Sequence, residues 1–465
     1  MIVIDEPTKP APSATTPLLA NLPPPAYTAA PSNVPAPQRD RPSTRKRLAS
    51  VFMAMIFVST AFVLAFFAYQ YEYERSKGVG DEYPIPSGVS VSKCTKSWSK
   101  ASRPPTSSFP HNSLTSFSLP LPAQTLMLLS QGALSSGRVK IVASSAYNVQ
   151  VKVTVSYHTT LVRGLAKVCL VERSDGEQGV GIFSPQPWKS RDPKDLLSFD
   201  VEIALPRSKD TRPRMSTALF TNVTNFSQEL DNLEDVMEFG AVTLLGSNGG
   251  IHSAALVTSG PALLMTSNGL VRIEKLVASS AHVMTINAPV YGTYHTNGPL
   301  QLTTINAPID AKLSVTSQDW SPVTLSTMNG HISAVVGLTS PVGAGGSFPV
   351  KTQNFNGDIF LNVSCLPINA TLSLTAGTMN SRADVVLPPT FEGRYSLSTS
   401  MGTTAVQRRH PDERDPEYPA LDRKRVLTEE RVGGTRMGNV YWAEENANRG
   451  VVAVSGQNGP VRLVL

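Results

Sequence analysis

A short motif centred on asparagine recurs about every twenty residues in the second half of this sequence. The pentapeptide Thr-Ile-Asn-Ala-Pro stands at 285–289 and again at 304–308, among looser copies of the form Asn-Gly/Ala-x-Ile/Val/Leu. Asparagine followed by glycine is typical of turns. A recurrence of this length predicts a stack of similar structural units. The predicted repeat corners are Asn248, Asn268, Asn287, Asn297, Asn306, Asn329, Asn356 and Asn458.

Strand-like alternation follows these corners. After Asn306, the apolar residues Ile309 and Ala311 alternate with the polar residues Asp310 and Lys312. This is the pattern of a strand with one buried face, so the predicted fold class is all-β. Residues 225–239 are the one stretch that suggests a short helix. The same alternation precedes the repeats at 137–144, 148–157, 166–171 and 198–205.

Two architectures would give this period: a ladder of antiparallel hairpins or a β-solenoid with an asparagine at each coil corner. The Ala-Pro copies favour coils. A two-residue hairpin turn needs positive φ at both central positions, which Ala288 and Ala307 tolerate poorly, and the prolines that follow them favour extended backbone. We therefore expect left-handed asparagines at the corners of stacked coils, with hairpins as the alternative.

A long apolar segment precedes the β region. Residues 48–69 contain 22 positions without a charge, which is roughly 33 Å of helix and enough to cross a bilayer. The basic run 45–47 before it and the acidic Glu72 and Glu74 after it predict a cytosolic N-terminus. A cleavable signal peptide is the alternative, but such peptides lie nearer the N-terminus. We expect a single-pass anchor in the plasma membrane or the secretory pathway, with the β region outside or in the lumen.

The N-glycosylation sequons agree with this orientation. All of them follow the apolar segment and none precedes it. N-glycosylation marks a surface position in a secreted region, so their placement and the charge rule point the same way. The predicted glycosylation sites are Asn222, Asn225, Asn362 and Asn369.

The N-terminal residues 1–47 are rich in proline and have almost no residues that could form a core, so we expect a disordered cytosolic tail. Within it, Pro24, Pro25 and Tyr27 spell Pro-Pro-x-Tyr. The motif resembles the ligands of WW domains, whose aromatic groove accepts polyproline II backbone. By that resemblance, a WW-domain ubiquitin ligase is a possible cytosolic partner.

The outer region divides into a polar stalk at 70–115, a β-rich start at 116–240 and the Asn-Gly repeats at 241–465. The charged segment 407–432 interrupts the repeats and is predicted to be a disordered insertion. Lys424-Arg425 within it is alternatively a dibasic processing site. We expect the strands after 450 to close the end of the stack.

The composition excludes several classes of protein. The net charge is only +6 and has no basic stripe, so nucleic acid is not an expected partner. The three cysteines, Cys94, Cys169 and Cys365, permit at most one disulfide and match no zinc motif. No metal site and no cofactor is predicted.

A carbohydrate-active β-helix enzyme is a competing hypothesis, because such enzymes use a pair of nearby carboxylates. The dense part of the repeats, about 240–365, contains few acids, namely Glu274, Asp310, Asp319 and Asp358, and of these Glu274 and Asp310 could stack across neighbouring coils. The histidines are scattered, and no His-Glu-x-x-His motif exists. We therefore predict a non-enzymatic protein without catalytic residues. Three histidines lie near predicted corners: His252, His295 and His331.

Residues 120–465 resemble the putative-adhesin repeat proteins, a family of stacked β-strand repeats. The likeness rests on a strand that ends in Leu-Pro, "FDVEIALP" at 199–206, and on the recurrent Thr-x-Asn-Gly-x-Ile words. The proline-rich tail with one anchor looks like the membrane-anchored members found in fungi. The resemblance implies an adhesin-like fold and supplies no catalytic residues.

These features together predict a single-pass membrane glycoprotein with a β-solenoid-like or stacked β-repeat outer domain. Its leading function is non-catalytic adhesion or binding of an extracellular glycan or protein. The alternatives are a membrane adaptor that recruits a WW-domain ubiquitin ligase and a carbohydrate-active enzyme.

Overall fold

The structure is a computed structural model that describes residues 83–101, 108–174, 176–186, 192, 194–207, 217–237, 239–409 and 413–465. The predicted tail and membrane segment, residues 1–69, lie outside these ranges. Apart from one short helix, α1 (Thr160–Gly164), and one 3-10 turn (Glu444–Asn446), the regular elements in these ranges are β-strands. None of the described helices is long and apolar enough to cross a membrane.

Nine strands build the N-terminal end of the stack. They are β1 (Ser90–Cys94), β2 (Ser99–Lys100), β3 (His111–Leu119), β4 (Thr125–Gln131), β5 (Gly137–Ser144), β6 (Val149–Tyr157), β7 (Lys167–Glu172), β8 (Glu177–Phe183) and β9 (Leu197–Pro206). β4 and β5 form one coil and β8 and β9 a second, and the two coils pair in parallel. The remaining strands pair antiparallel and cover this end.

The prediction of a polar stalk at 70–115 is wrong for the second half of that segment. β1, β2 and the start of β3 all lie within 70–115. These strands stand at sheet edges, where most of their side chains stay at least partly exposed. Their sequences therefore lack the strong apolar alternation that identifies a strand with one buried face.

Eight parallel coils follow, each with one strand in sheet 1 and one in sheet 2. Sheet 1 contains β10 (Thr217–Val223), β12 (Phe239–Leu245), β14 (Pro261–Met265), β16 (Ser280–Met284), β18 (Leu300–Thr303), β20 (Val323–Ser326), β22 (Ser347–Gln353) and β24 (Thr371–Gly377). Sheet 2 contains β11 (Phe226–Asn232), β13 (Ile251–Val257), β15 (Val271–Ala278), β17 (Val290–Thr296), β19 (Ile309–Thr316), β21 (Ile332–Thr339), β23 (Ile359–Cys365) and β25 (Ala383–Val386). All pairing between these coils is parallel, so the solenoid prediction is confirmed and the hairpin alternative is wrong.

The core lies between the two sheets and is continuous along the stack. In sheet 2, Val290 pairs with Ile309, Ile309 with Ile332, and Ile332 with Ile359, and all four are fully buried. Parallel pairing in register places each aliphatic side chain on an equivalent one in the next coil, about 4.8 Å away. The predicted helix at 225–239 is wrong, because β11 takes part in this register.

One disulfide ties the N-terminal end together. Cys94 of β1 and Cys169 of β7 are bonded and lie opposite each other in register. Cys365 is exposed and free. This agrees with the sequence-based limit of one disulfide, and the structure adds which cysteines form it.

The C-terminal end departs from the order of the sequence. It contains β26 (Gly393–Ser398), β27 (Thr404–Gln407), β28 (Val426–Leu427), β29 (Glu430–Val432), β30 (Thr435–Tyr441), β31 (Gly450–Ser455) and β32 (Val461–Val464). β31 lies between β24 and β26, and β32 lies between β25 and β27. The expectation that the last strands close the stack is therefore wrong: the final coil is inserted between two earlier coils. Beyond it, β28, β29 and β30 extend sheet 1 antiparallel.

The predicted disorder of 407–432 is wrong where the structure describes this segment, because 413–432 packs on the C-terminal end. The Arg425 guanidinium donates to the Phe391 carbonyl (2.9 Å) and lies 3.7 Å from the Glu413 carboxylate. Burial lowers the pKa of Arg425 to about 10. A protease could cleave after Lys424-Arg425 only by extracting this side chain, which argues against processing of the folded domain.

The inserted final coil predicts a specific pattern of engineered disulfides. In a Cys365→Ser background, Ser373→Cys with Val451→Cys should form a disulfide, because these exposed residues pair on adjacent strands, where Cα atoms lie about 5 Å apart. Ser373→Cys with Arg394→Cys should not, because Val451 stands between them. Non-reducing peptide mass spectrometry would identify the linked pairs. Coils stacked in sequence order would give the opposite result.

Candidate interaction surface

The repeated asparagines form a continuous ladder along one edge of the stack. Each side-chain amide donates to the amide oxygen of the asparagine on the neighbouring coil, as Asn306 does to Asn287 at 2.7 Å. All eight bonds measure 2.6–2.8 Å. The members, in order, are Asn225, Asn248, Asn268, Asn287, Asn306, Asn329, Asn356, Asn380 and Asn458.

A second ladder lies inside the same corner, two residues before six of the nine asparagines. Thr327 is buried, and its hydroxyl donates to the Ala307 carbonyl (3.1 Å) of the neighbouring coil. A buried carbonyl without a partner costs about 1–3 kcal/mol, so this hydroxyl stabilises the corner. The other threonines that do this are Thr266, Thr285, Thr304 and Thr378, and Asn354 does the same through its amide.

Most of the predicted corners belong to the ladder. The exception is Asn297, which lies at the opposite edge between β17 and β18. The sequence reasoning missed Asn225 and Asn380. The word Thr-x-Asn would have located Asn380, because Thr378 precedes it at the inner position. Asn225 has Val223 at that position and lacks this signal.

The corner asparagines do not adopt the predicted left-handed conformation. Among the described non-glycine residues, only Asn369 has a positive φ, 64°. At the corners the backbone N–H donates to the neighbouring coil instead, as from Asn306 to the Ile286 carbonyl (2.9 Å) and from Asn329 to the Ile305 carbonyl (3.0 Å). The corner therefore needs no hydrogen bond between its own residues, and the left-handed backbone of such a turn is not required.

In the middle coils, the outer face of sheet 2 is broader than that of sheet 1. Its strands β15, β17, β19 and β21 contain seven or eight residues, whereas β14, β16, β18 and β20 of sheet 1 contain four or five. Part of the outer face of sheet 1 is covered near the N-terminal end, where Met127 and Leu129 are buried with Tyr83 and Val91 packed against their cluster. The sheet 2 face is thus the candidate interaction surface.

Parallel register arranges the side chains of this face in two rows. One row reads Glu229, His252, Arg272, Tyr291, Asp310, Ser333, Phe360, Asp384 and Arg462. The adjacent row reads Thr293, Lys312, Val335, Asn362, Val386 and Val464. Neighbours within a row are about 4.8 Å apart, so the face presents donors, acceptors and aromatic rings at fixed spacing.

Glu274 and Asp310 on this face each have a basic side chain beside them. Glu274 accepts from Arg272 at 3.0 Å, and Asp310 lies 3.1 Å from the His331 imidazole. β17 separates the strands of Glu274 and Asp310, so these two carboxylates do not stack across neighbouring coils. Asp358 directly precedes β23, and Ser381 lies at the corner before β25. The Ser381 hydroxyl donates to Asp358 (2.6 Å) and lowers the pKa of that carboxyl.

Metal ligands are not gathered at any one place: the described residues contain no group of three His, Cys, Asp or Glu side chains that could hold an ion. Two of the three histidines near predicted corners stand beside carboxylates, His331 next to Asp310 and His252 at 3.9 Å from Glu274. His295 lies within β17, away from a corner. The WW-binding motif, Pro24, Pro25 and Tyr27, lies outside the described residues.

The four sequons occupy different environments. Asn222 is buried in β10, and Asn225 accepts the first bond of the ladder from Asn248 at 2.6 Å. Asn369 is exposed and donates to Glu417 at 3.1 Å. Asn362 stands in the middle of β23 on the sheet 2 face. The geometry therefore favours Asn362 and Asn369 as glycan acceptors.

No protein-family model matches this chain, and no curated protein matches it. Among solved structures, it is similar to a putative cell adhesion protein from Clostridium sporogenes, at 9% identity and a TM-score of 0.17, over 76% of this chain and 99% of that one. A putative adhesin from Bacteroides fragilis matches at 11% identity and a TM-score of 0.24, over 75% and 96%. With TM-scores this low, function has to be inferred from the chain's own residues.

The asparagine ladder should contribute to stability. Asn306→Ala removes two ladder bonds, to Asn287 and from Asn329, and should lower the free energy of unfolding by about 1–2 kcal/mol. Asn297→Ala is the matched control, because Asn297 is an exposed corner asparagine outside the ladder. Urea denaturation of both variants would measure the difference. Equal effects would contradict a stabilising role for the ladder.

Proposed function

We propose that this chain is a membrane-anchored surface glycoprotein whose β-solenoid is a non-catalytic adhesion or binding module. The observation that carries the proposal is the sheet 2 face, a broad surface built on a continuous core. Rows of side chains at a regular spacing suit an extended ligand, such as a glycan chain or a partner protein, that makes many weak contacts. Tyr291 and Phe360 supply aromatic rings among polar neighbours.

A non-catalytic role is supported by the chemistry of the face. Hydrolysis of glycosides needs two carboxyl groups about 5–10 Å apart across the scissile bond. On the sheet 2 face, Glu274 is engaged by Arg272, and Asp310 by His331, while a whole strand separates the two acids. This arrangement places each acid beside a basic side chain and does not bring the two acids together as a matched acid and base.

An extracellular or lumenal location is supported by independent observations. The Cys94–Cys169 disulfide persists in an oxidising compartment and is uncommon in the cytosol. The sequons lie on the same side of the apolar segment 48–69 as the β domain. Together with the basic run at 45–47, these features favour a cytosolic tail and an outer solenoid.

A second candidate function follows from the Pro-Pro-x-Tyr motif of the tail. A membrane adaptor would bind a WW-domain ubiquitin ligase through Pro24, Pro25 and Tyr27. Full-length protein in detergent should then be captured by immobilised WW domains, and Tyr27→Ala should reduce capture at least tenfold. Thr28→Ala is the control, because it lies outside the motif. Equal capture of both variants would remove the adaptor hypothesis.

The binding module is tested with cells that display the full chain and are screened against glycan and protein arrays. For any ligand found, Tyr291→Ser with Lys312→Ser should weaken binding at least tenfold, because both side chains lie on the sheet 2 face. Gln301→Ser with Thr324→Ser is the matched control on sheet 1, where these residues pair on neighbouring strands.

Loss of binding only in the sheet 1 variant would place the ligand on the other face. The same cells, incubated with the bound glycan, also report on enzymatic activity. Turnover of that glycan, lost when the chain is absent, would contradict the non-catalytic role.

A further inference from the structure

Asn362 stands at the centre of an apolar patch on the sheet 2 face. Its neighbours in register are Val335 on β21 and Val386 on β25. Phe360 lies two positions before it on β23, and therefore on the same face. Val335 is 39% exposed and Phe360 is 40% exposed.

This patch contrasts with the rest of the face. On the preceding coils the equivalent row contains Thr293 and Lys312, and aliphatic side chains begin at Val335. The Arg382 guanidinium lies 5.7 Å from the centre of the Phe360 ring and covers only part of the residue. Exposed apolar clusters on a polar surface commonly mark a place that another group covers.

The geometry of the Asn362 sequon suits the covalent attachment of a glycan. Asn362-Val363-Ser364 lies along one strand, with Val363 in the core and the other two side chains outside. Asn222 is buried, and the Asn225 side chain is engaged in the ladder. A substituent on the Asn362 amide would project from the sheet over Val335 and Phe360 without displacing any core side chain.

We propose that Asn362 carries an N-linked glycan whose first sugar lies on the patch formed by Phe360, Val335 and Val386. In the transfer, the Asn362 Nδ2 forms a bond to the anomeric carbon of a lipid-linked oligosaccharide diphosphate. The bond from that carbon to the diphosphate oxygen breaks, the lipid diphosphate leaves, and Nδ2 loses one proton. The C–H-rich face of the sugar then packs on the negative face of the aromatic ring.

This inference rests on the proposed lumenal location and sharpens the proposed binding role. A glycan at Asn362 covers the sheet 2 face near β21, β23 and β25. The part of the face that remains open lies around Arg272, Tyr291 and Lys312, on β15, β17 and β19. The ligand should therefore bind at the middle of the stack, at a distance from the modified strand.

The test uses the full chain expressed in a eukaryotic secretory host. Enzymatic release of N-glycans in heavy-oxygen water converts each occupied asparagine into labelled aspartate, which peptide mass spectrometry locates. We expect label at Asn362 in the wild type and none there in Ser364→Ala. Removal of the glycans should lower the melting temperature of the wild type by a few degrees, because the patch becomes exposed to water.

The Phe360→Ser variant tests whether the sugar packs on the aromatic ring, separately from whether the glycan is attached to Asn362. It keeps the sequon, so Asn362 should still be labelled, but glycan removal should no longer shift the melting temperature. Far-UV circular dichroism would confirm that this exposed substitution leaves the fold intact. An equal shift in the wild type and in Phe360→Ser would overturn the packing of the sugar on the ring.

The remaining outcomes distinguish this inference from the proposed function. Label at Asn369 without label at Asn362 would overturn the inference and leave the lumenal location in place. Absence of label at every sequon would contradict the lumenal location, and the inference with it. Label at Asn362 with no change in melting temperature on glycan removal would show attachment without a covered patch, which also overturns the inference.

Discussion

The parallel hydrogen-bonded register between coils is the constraint on which the rest of this structure depends. Because each coil lies in register on the next, every side chain meets an equivalent side chain about 4.8 Å away. Aliphatic residues such as Ile309 and Ile332 then form a continuous core. Polar residues at the corners have to bond to each other in the same way, and asparagine can do so because its amide has both a donor and an acceptor. The ladder from Asn225 to Asn458 is the result.

The same register gives the molecule two unequal faces. The threonine and asparagine ladders fix one edge of the stack, and the length of each strand decides how much surface a coil presents. In the coils from β14 to β21 the sheet 2 strands are longer than those of sheet 1, so they offer a broad face, on which Arg272 pairs with Glu274 and apolar residues surround Asn362. A rigid face of this kind suits recognition of an extended ligand. Glycoside hydrolysis uses a pair of nearby carboxyl groups, and on this face β17 lies between the strands of Glu274 and Asp310.

Much of the repeated part of the fold could be predicted from the sequence. The Ala-Pro copies distinguished coils from hairpins, because proline restricts the backbone of the alanine before it. The left-handed asparagine was a wrong expectation, since each corner N–H finds its acceptor on another coil, which local turn rules do not consider. Asn380 was missed although Thr378 marks it, whereas Asn225 has Val223 at the inner position and gives no such signal.

The two ends of the stack could not be predicted in the same way, because there the neighbour of a strand in space is not its neighbour in the chain. Edge strands such as β1 have few apolar residues, so their sequences lack the alternation that identifies a half-buried strand. The charged segment 413–432 looks solvated in sequence, yet Arg425 is held by the Phe391 carbonyl at the C-terminal end. Of the candidate surface, the alternation of the strands was predictable, but its rows depend on coil lengths that vary from 19 to 27 residues.

The inserted position of the final coil has a consequence for synthesis of the protein. During synthesis, β24–β25 and β26–β27 are made before the coil that joins them. Until β31 and β32 have emerged, both coils keep an unpaired edge where these strands belong. A prematurely terminated chain therefore retains open strand edges of the kind that quality-control factors recognise. The order of strands thus makes closure of the domain depend on a coil that is synthesised after both of the coils it joins.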